Sequence, residues 1–192
     1  MTLETNYSRE KVLWMAVLPQ AVLLAISILW IFLIPKYNVS PYLKFSWQPI
    51  LGGLLVGFGL AMSGYGFYNF TKKTKKFYET VELFEQVLAP AFRNLKLPDV
   101  ILLSIVSGFC EEIFFRGLMQ PAFGIILASI AFGLLHLPGF KFWIYALWAA
   151  LSGALFGFLF IVTSSLWFPI IAHATNNIIG MILLTKVREK TA

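Results

Sequence analysis

Two adjacent glutamates, Glu111 and Glu112, occur in a stretch of the chain that is otherwise composed like a membrane helix. A carboxylate at bilayer depth costs about 2.5 kcal/mol or more, so such a residue usually has a partner and a function. Arg116 follows Glu112 by four residues, and residues four apart lie on the same face of a helix. We therefore expect Glu112 and Arg116 to form an ion pair, whereas Glu111, about 100° further round the helix, faces a different neighbour.

Both histidines of the chain, His136 and His173, also lie in apolar segments. Asn177 follows His173 by four residues and shares its helix face, as His136 does with Phe132. Glu111 has no evident cationic partner, and burial beside a second carboxylate suits a carboxyl group to general acid–base chemistry. With His136 it can activate water, while His173 and Asn177 can donate hydrogen bonds to an oxyanion. This set predicts a site for attack of water on a carbonyl group.

The same side chains offer a second chemistry. Two glutamates and two histidines can also hold a divalent metal such as zinc, for which Glu111, His136 and His173 are the candidate ligands. The spacing alone does not decide between a metal-dependent and a metal-free site.

Small residues in the apolar segments indicate packing rather than chemistry. Gly53 and Gly57 are four apart, as are Gly153 and Gly157, and such pairs predict close approach of neighbouring helices. The chain has one cysteine, Cys110, so no disulfide forms within it. We expect Cys110 to be a small buried residue of a helix.

The composition places the chain in the membrane class. Of its 192 residues, 59% are hydrophobic and 12% are charged, whereas a soluble domain is typically about a quarter charged. The net charge of +6 does not indicate a nucleic-acid partner, because the basic residues cluster between apolar runs, where they act as topology signals. The expected partners are the lipid bilayer and a membrane-bound substrate, with no nucleic acid.

Six segments meet or approach the length of about 20 apolar residues that a bilayer-spanning helix needs. They cover residues 13–34, 47–70, 98–119, 123–137, 142–162 and 166–185. The glutamates lie in the third span, His136 at the end of the short fourth, and His173 in the sixth. A short turn around Gln120-Pro121 is expected to join the third and fourth spans. The fold class is therefore all-α, a polytopic membrane bundle of about six transmembrane helices.

The polar interval before the third span predicts a short amphipathic helix at the membrane surface. Apolar residues recur there at helical spacing with charged residues between them: Val81, Phe84, Val87, Leu88 and Phe92. Pro90 is expected to break or kink this helix. Its insertion would give seven spans, but its charges disfavour that count.

The distribution of basic residues predicts a multi-pass protein with both termini cytoplasmic. The chain is then divided into two N-terminal transmembrane helices with the interfacial segment (1–97), a catalytic helix core (98–185) and a basic cytoplasmic tail (186–192). In this arrangement, simple span arithmetic places Glu111 nearer the outer leaflet and His136 nearer the inner one. The site therefore requires an offset fourth span or a tilted third span.

Three motifs occur in order on these helices. Residues 111–116 read EEIFFR and fit EExxxR, residues 132–136 read FGLLH and fit FxxxH, and residues 173–177 read HATNN and fit HxxxN. Together they resemble the CAAX-protease and bacteriocin-processing (CPBP or Abi) family of intramembrane proteases, which includes the type II CAAX prenyl endopeptidases. The resemblance covers roughly residues 98–185.

The resemblance implies peptide-bond hydrolysis inside the membrane. By position, it assigns water activation to Glu111 with His136, and oxyanion stabilisation to His173 and Asn177. Supporting residues are Glu112, Arg116 and Phe132. The family carries the label metalloprotease, although a glutamate-dependent, metal-free mechanism has been proposed for it. The implied substrate is a membrane-anchored or prenylated peptide, of CAAX type or related.

Two other functions are compatible with ionisable groups in a membrane. An ion or proton transporter usually shows internal repeats, and this sequence has none that we recognise. A non-catalytic immunity or scaffold protein has no need to keep ionisable groups in lipid. The complete set of motifs therefore favours the endopeptidase.

Overall fold

The computed structural model describes residues 7–185, and helices joined by turns and short loops make up the whole of that range. Five helical runs in it are long and apolar enough to cross a membrane: Arg9–Leu33, Trp47–Thr74, Leu97–Leu135, Phe140–Thr163 and Trp167–Thr185. The predicted all-α membrane bundle is confirmed, and the protein is an integral membrane protein. The basic tail predicted at 186–192 lies outside the described residues.

We number the helices in chain order. The first two are α1, Arg9–Leu33, and α2, Trp47–Thr74, and a 3₁₀ turn at Ser40–Leu43 lies between them. Helix α3 consists of Tyr78–Glu82, a π-helical turn at Leu83–Leu88, and Ala89–Phe92. Helices α4 and α5 are the two parts of the run Leu97–Leu135. A 3₁₀ turn at Phe140–Phe142 precedes α6, Trp143–Thr163, and the last helix is α7, Trp167–Thr185.

The run Leu97–Leu135 is a helical hairpin that turns at Gly124. It contains Leu97–Glu112, a π-helical turn at Ile113–Met119, and Gln120–Leu135. Gly124 has φ 86° and ψ 162°, a conformation that is essentially restricted to glycine. We call the part before Gly124 α4 and the part after it α5. The turn thus lies at Gly124 and not around Gln120-Pro121, because the π turn directly precedes Pro121 and the helix accommodates this proline at its start.

The hairpin brings Glu111 and His136 to the same level. Glu111 lies 13 residues before Gly124 and His136 lies 12 residues after it, so both are about 18–20 Å along a helix from the turn. The expectation that they lie at different depths is wrong, because the turn lies at Gly124 and not around Gln120-Pro121, which makes the two arms of the hairpin nearly equal in length. His136 follows directly at the end of this short helix.

Helix α3 is the predicted amphipathic helix, and polar contacts attach it to the bundle. Glu85 accepts hydrogen bonds from Lys72 and, at 2.5 Å, from the hydroxyl of Tyr68. Nζ of Lys141 lies 2.6 Å from Oε2 of Glu82. Burial acts to raise the pKa of Glu85, but the hydrogen bonds from Lys72 and Tyr68 outweigh it and hold the pKa below its ordinary value. Helix α3 is therefore attached both to the C-terminal end of α2 and to the 3₁₀ turn that precedes α6.

The two glycine pairs allow the close packing that the sequence predicts. A Cβ atom at Gly57 on α2 would lie 2.4 Å from the carbonyl oxygen of Ala172 on α7. A Cβ atom at Gly153 on α6 would lie 2.9 Å from Nη2 of Arg116, and one at Gly157 would lie 2.5 Å from Oε1 of Gln120. Glycine is therefore needed for α6 to approach the hairpin, and the predicted close approach is confirmed.

Candidate active site

Both histidines face Glu111 from different helices. Nε2 of His136 lies 3.7 Å from Oε2 of Glu111, and Nε2 of His173 lies 4.0 Å from the same atom. Glu111 is 6% exposed and His173 is 3% exposed. Helices α4, α5 and α7 therefore bring together, deep in the bundle, three of the side chains that the sequence identified.

The hydrogen bond made by Nδ1 fixes the tautomer of each imidazole ring. Nδ1 of His136 lies 2.8 Å from the carbonyl oxygen of Phe132, and Nδ1 of His173 lies 2.8 Å from Oε1 of Glu112. Both partners are acceptors when Glu112 is ionised, so Nδ1 is the donor in each ring, and a neutral ring presents its Nε2 lone pair to Glu111. Both nitrogens lie within 4.0 Å of one carboxylate oxygen, so a water molecule bound there can donate its two hydrogens to two of these three acceptors.

Glu112 is fully buried and, together with Arg116, connects three helices. Its Oε1 accepts hydrogen bonds from Nη1 of Arg116 at 3.0 Å and from Nδ1 of His173 at 2.8 Å. Nη2 of Arg116 donates to the carbonyl oxygen of Gly153 at 2.9 Å. The predicted ion pair between Glu112 and Arg116 is confirmed. The Glu112 carboxylate also orients His173. This contact joins distant parts of the chain, and no local spacing of residues indicates it.

Asn177 lies on α7 one turn beyond His173. Its Nδ2 donates to Oγ of Ser107 at 3.0 Å, and its Oδ1 accepts a hydrogen bond from Nδ2 of Asn176 at 3.3 Å. An amide nitrogen carries two hydrogens, so one hydrogen of Asn177 serves Ser107 and the second is available to a ligand. Sequence reasoning missed Ser107, because a serine in an apolar helix belongs to none of the motifs.

Aromatic rings enclose the histidines. The Phe132 ring centroid lies 4.4 Å from that of His136, and Phe156 stacks on His173 at 5.3 Å with an interplanar angle of 17°. Phe132 is 3% exposed and packs beside the site. Electrostatic interactions are stronger where such walls keep the local dielectric constant low.

The site opens into a cavity of about 420 Å³, a volume typical of ligand pockets. His136, His173 and Asn177 lie in its wall. Most of the remaining wall is apolar or aromatic and comes from several helices, with residues that include Met15, Tyr65, Phe84, Leu88, Phe92 and Leu184. The cavity therefore joins a small polar centre to a long apolar surface.

The candidate zinc ligands do not form a metal site as they are placed. Tetrahedral zinc with bonds of about 2.1 Å holds its donor atoms about 3.4 Å apart, whereas the nitrogens here lie 3.7 Å and 4.0 Å from Oε2 of Glu111. Among residues 7–185, no group of three or more His, Cys, Asp or Glu side chains is arranged to hold a metal ion.

Helix α1 contributes Gln20, which the sequence analysis did not select. Nε2 of Gln20 donates to Oε1 of Glu111 at 2.7 Å. Gln20 is a single amide in an apolar segment and belongs to no motif. Its role becomes visible only when the helix that packs beside α1 is known. The polar residue type inside a membrane span was the one available signal.

The fold and the site define an integral membrane protein with a buried cluster of glutamate and histidine side chains inside a helix bundle. Residues 93–179 match the family model described as Type II CAAX prenyl endopeptidase Rce1-like. This segment contains all three motifs, so the family resemblance drawn from the motifs is confirmed for this part of the chain.

A curated relative and the solved structures complete the comparison. The relative, an uncharacterized protein named YpbD from Bacillus subtilis (strain 168), is 30% identical over 82 residues. The match covers 43% of this chain and 43% of the relative, so the chain spans less than half the length of that protein. No solved structure matches the chain.

Proposed function

We propose that the protein is an intramembrane endopeptidase in which Glu111 activates water for attack on a peptide carbonyl. The observation that carries this proposal is the convergence of His136 and His173 on Oε2 of Glu111, at 3.7 Å and 4.0 Å. The family match over residues 93–179 supports it. The adjoining cavity offers space for a peptide segment.

Each step of the proposed reaction has an acceptor or a donor in place. Water held between Oε2 of Glu111 and Nε2 of His136 transfers a proton to Glu111 as its oxygen bonds to the carbonyl carbon. The resulting oxyanion takes hydrogen bonds from Asn177 and from His173 when its Nε2 carries a proton. Glu112 stabilises that doubly protonated ring. The C–N bond then breaks, and the proton on Glu111 passes to the leaving nitrogen, which gives a carboxylic acid and an amine.

The substrate that this cavity suits is a membrane-associated protein or peptide, of CAAX type or related. Its apolar wall reaches Phe84, Leu88 and Phe92 on the amphipathic helix α3. With both termini cytoplasmic, as the basic residues predict, α3 lies at the cytoplasmic surface. A membrane-anchored or prenylated chain can then enter from that side with its apolar part in the cavity and its peptide bond at Glu111.

The test is cleavage by purified protein in liposomes. Farnesylated peptides with a CAAX end, the same peptides without the prenyl group, and a single-span peptide are offered, and products are identified by mass spectrometry. We expect Glu111→Gln to lower the rate of cleavage by about 10²–10⁴-fold, the usual contribution of a general base. Its melting temperature should stay close to that of the wild type, because glutamine has the same shape and can still bond to Gln20.

The matched control is Glu10→Gln, which makes the same change at an exposed position of α1 and should cleave like the wild type. Cleavage by Glu111→Gln at the rate of this control would show that the assignment of Glu111 is wrong.

A further inference from the structure

Helix α1 lies outside the matched segment 93–179, yet it holds the carboxylate of Glu111. Gln20 donates to Oε1 at 2.7 Å, the one hydrogen bond that Glu111 side-chain atoms make among the described residues. Oε2 is buried without such a bond and faces the two histidines. The two oxygens therefore have different environments.

We propose that Gln20 is a positioning residue for Glu111, a role that rests on the proposed function of that glutamate. A free glutamate side chain has several rotamers, and fixing one of them costs conformational entropy. The hydrogen bond to Oε1 selects the rotamer in which Oε2 points at the space between His136 and His173. Gln20 thus keeps the basic oxygen of Glu111 where the water must bind.

Contacts on both sides of Gln20 fix the register of α1 on α4. At one end, Arg9 donates to both carboxylate oxygens of Asp99, at 2.7 Å and 2.5 Å. At the other end, the ring of Trp30 lies 6.2 Å from that of Phe114, edge to face. The two helices therefore run in parallel, and the amide–carboxylate pair lies between two points of attachment. A small shift of α1 along α4 would separate the pair.

The carbonyl oxygen of the Gln20 side chain has no hydrogen-bond partner, which argues against a purely structural role for this residue. Most buried side-chain polar atoms in native proteins have at least one hydrogen-bond partner, but Oε1 of Gln20 is buried and has none among the described residues. Gln20 also lies in the wall of the cavity. A glutamine kept only for packing would be better replaced by an apolar residue, so the donated hydrogen bond to Glu111 accounts for its presence.

The kinetic test replaces Gln20 with methionine, which has a similar length and no donor. We expect kcat to fall by about 10–100-fold, the loss that a displacement of roughly 1 Å can cause, with KM within about twofold because the cavity keeps its shape. Gln20→Asn retains the amide but is one methylene too short, so it should lose activity similarly. The control is Gln48→Met at an exposed position of α2, with wild-type kinetics. A kcat within about threefold of this control, or a change confined to KM, would overturn the proposal.

A second readout does not require peptidase activity. A hydrophobic carbodiimide reacts with the protonated carboxyl group, and mass spectrometry measures its attachment to Glu111. Without the hydrogen bond from Gln20 the Glu111 carboxyl group can leave its fixed rotamer, so Glu111 in Gln20→Met should be modified at least about threefold faster than in the wild type or in Gln48→Met. Equal or slower modification overturns the role of Gln20.

The two readouts separate the two proposals. Faster modification in a protein that cleaves nothing would contradict the endopeptidase function and leave the contact between Gln20 and Glu111 supported. If Gln20→Met does not fold, both the kinetics and the carbodiimide modification are measured on Gln20→Asn, because its amide keeps a polar side chain at this position.

Discussion

Glu111 and Glu112 are neighbours in sequence, but the bundle gives them different partners. Oε1 of Glu112 binds Arg116 and His173 and is inaccessible to a ligand. Glu111 binds Gln20 with one oxygen and presents the other to the histidines. One glutamate therefore holds the site together, and the other has an oxygen without a hydrogen bond, which we propose accepts the proton of water.

This division predicts different consequences for the same substitution. Glu112→Gln removes the charge that compensates Arg116, a side chain that is 1% exposed. Breaking a buried ion pair on one side typically costs about 3–5 kcal/mol, so we expect a clear fall in the melting temperature in detergent. Glu111→Gln should melt like the wild type. If the two variants behave alike in both melting and cleavage, the division is wrong.

The donor geometry also predicts how the protein responds to a chelator. Among the described residues, no group of three or more His, Cys, Asp or Glu side chains is arranged to hold a metal ion. We expect cleavage to persist after dialysis against EDTA and elemental analysis to find far less than one metal per chain. Activity that disappears with the chelator and returns with zinc would contradict this prediction.

The motifs identified the residues of the site but not their partners. The spacing of Glu112 and Arg116 predicts their ion pair because both lie on one helix. Gln20 and Ser107 stayed unidentified, because their contacts join α1 to α4 and α4 to α7. Such pairings depend on the register of packed helices, which one sequence does not specify.

Among the elements, the hairpin of α4 and α5 positions the site. The sequence predicts both helices, but it places the turn at Pro121, where proline is a strong helix-breaking signal. The π-helical turn Ile113–Met119 precedes this proline, and the backbone break falls at Gly124. A π turn leaves no recognisable pattern in composition, so the position of the turn and the level of His136 did not follow from the sequence.

Replacing the hinge glycine tests this account. Gly124→Ala puts a side chain at φ 86° and ψ 162°, which should cost about 1–3 kcal/mol although open space surrounds the position. Unfolding in detergent measures the loss. The control is Gly59→Ala in the helical part of α2, also in open space, which should stabilise the protein by about 0.5–1 kcal/mol. Equal effects at both positions would show that the Gly124 conformation does not matter.

At the scale of the whole molecule, the cavity joins the parts that the sequence separates. We retain as a proposal the division into residues 1–97 and a catalytic core at 98–185. Gln20 from the first part and His173 from the second both lie in the cavity wall. The family segment 93–179 would then hold the reacting groups, while α1 to α3 complete the chamber around them.

The proposed orientation predicts which loops can be labelled from outside an intact cell. Lys44 and Lys76 are both exposed and lie at opposite ends of α2. A membrane-impermeant maleimide should label Lys44→Cys in intact cells and Lys76→Cys after lysis alone. Cys110 is buried and should give little background. The reverse pattern would place the termini outside.

The central claim is that Glu111 directs water onto a peptide bond inside the bundle. Its most direct test is a single turnover in H₂¹⁸O by the wild type and by Glu111→Gln, with mass spectrometry of the cleaved peptide. The account predicts that the wild type inserts one ¹⁸O into the new carboxylate in the first turnover and that Glu111→Gln forms almost no product. A first product that carries only ¹⁶O, or cleavage by Glu111→Gln at the wild-type rate, would contradict it.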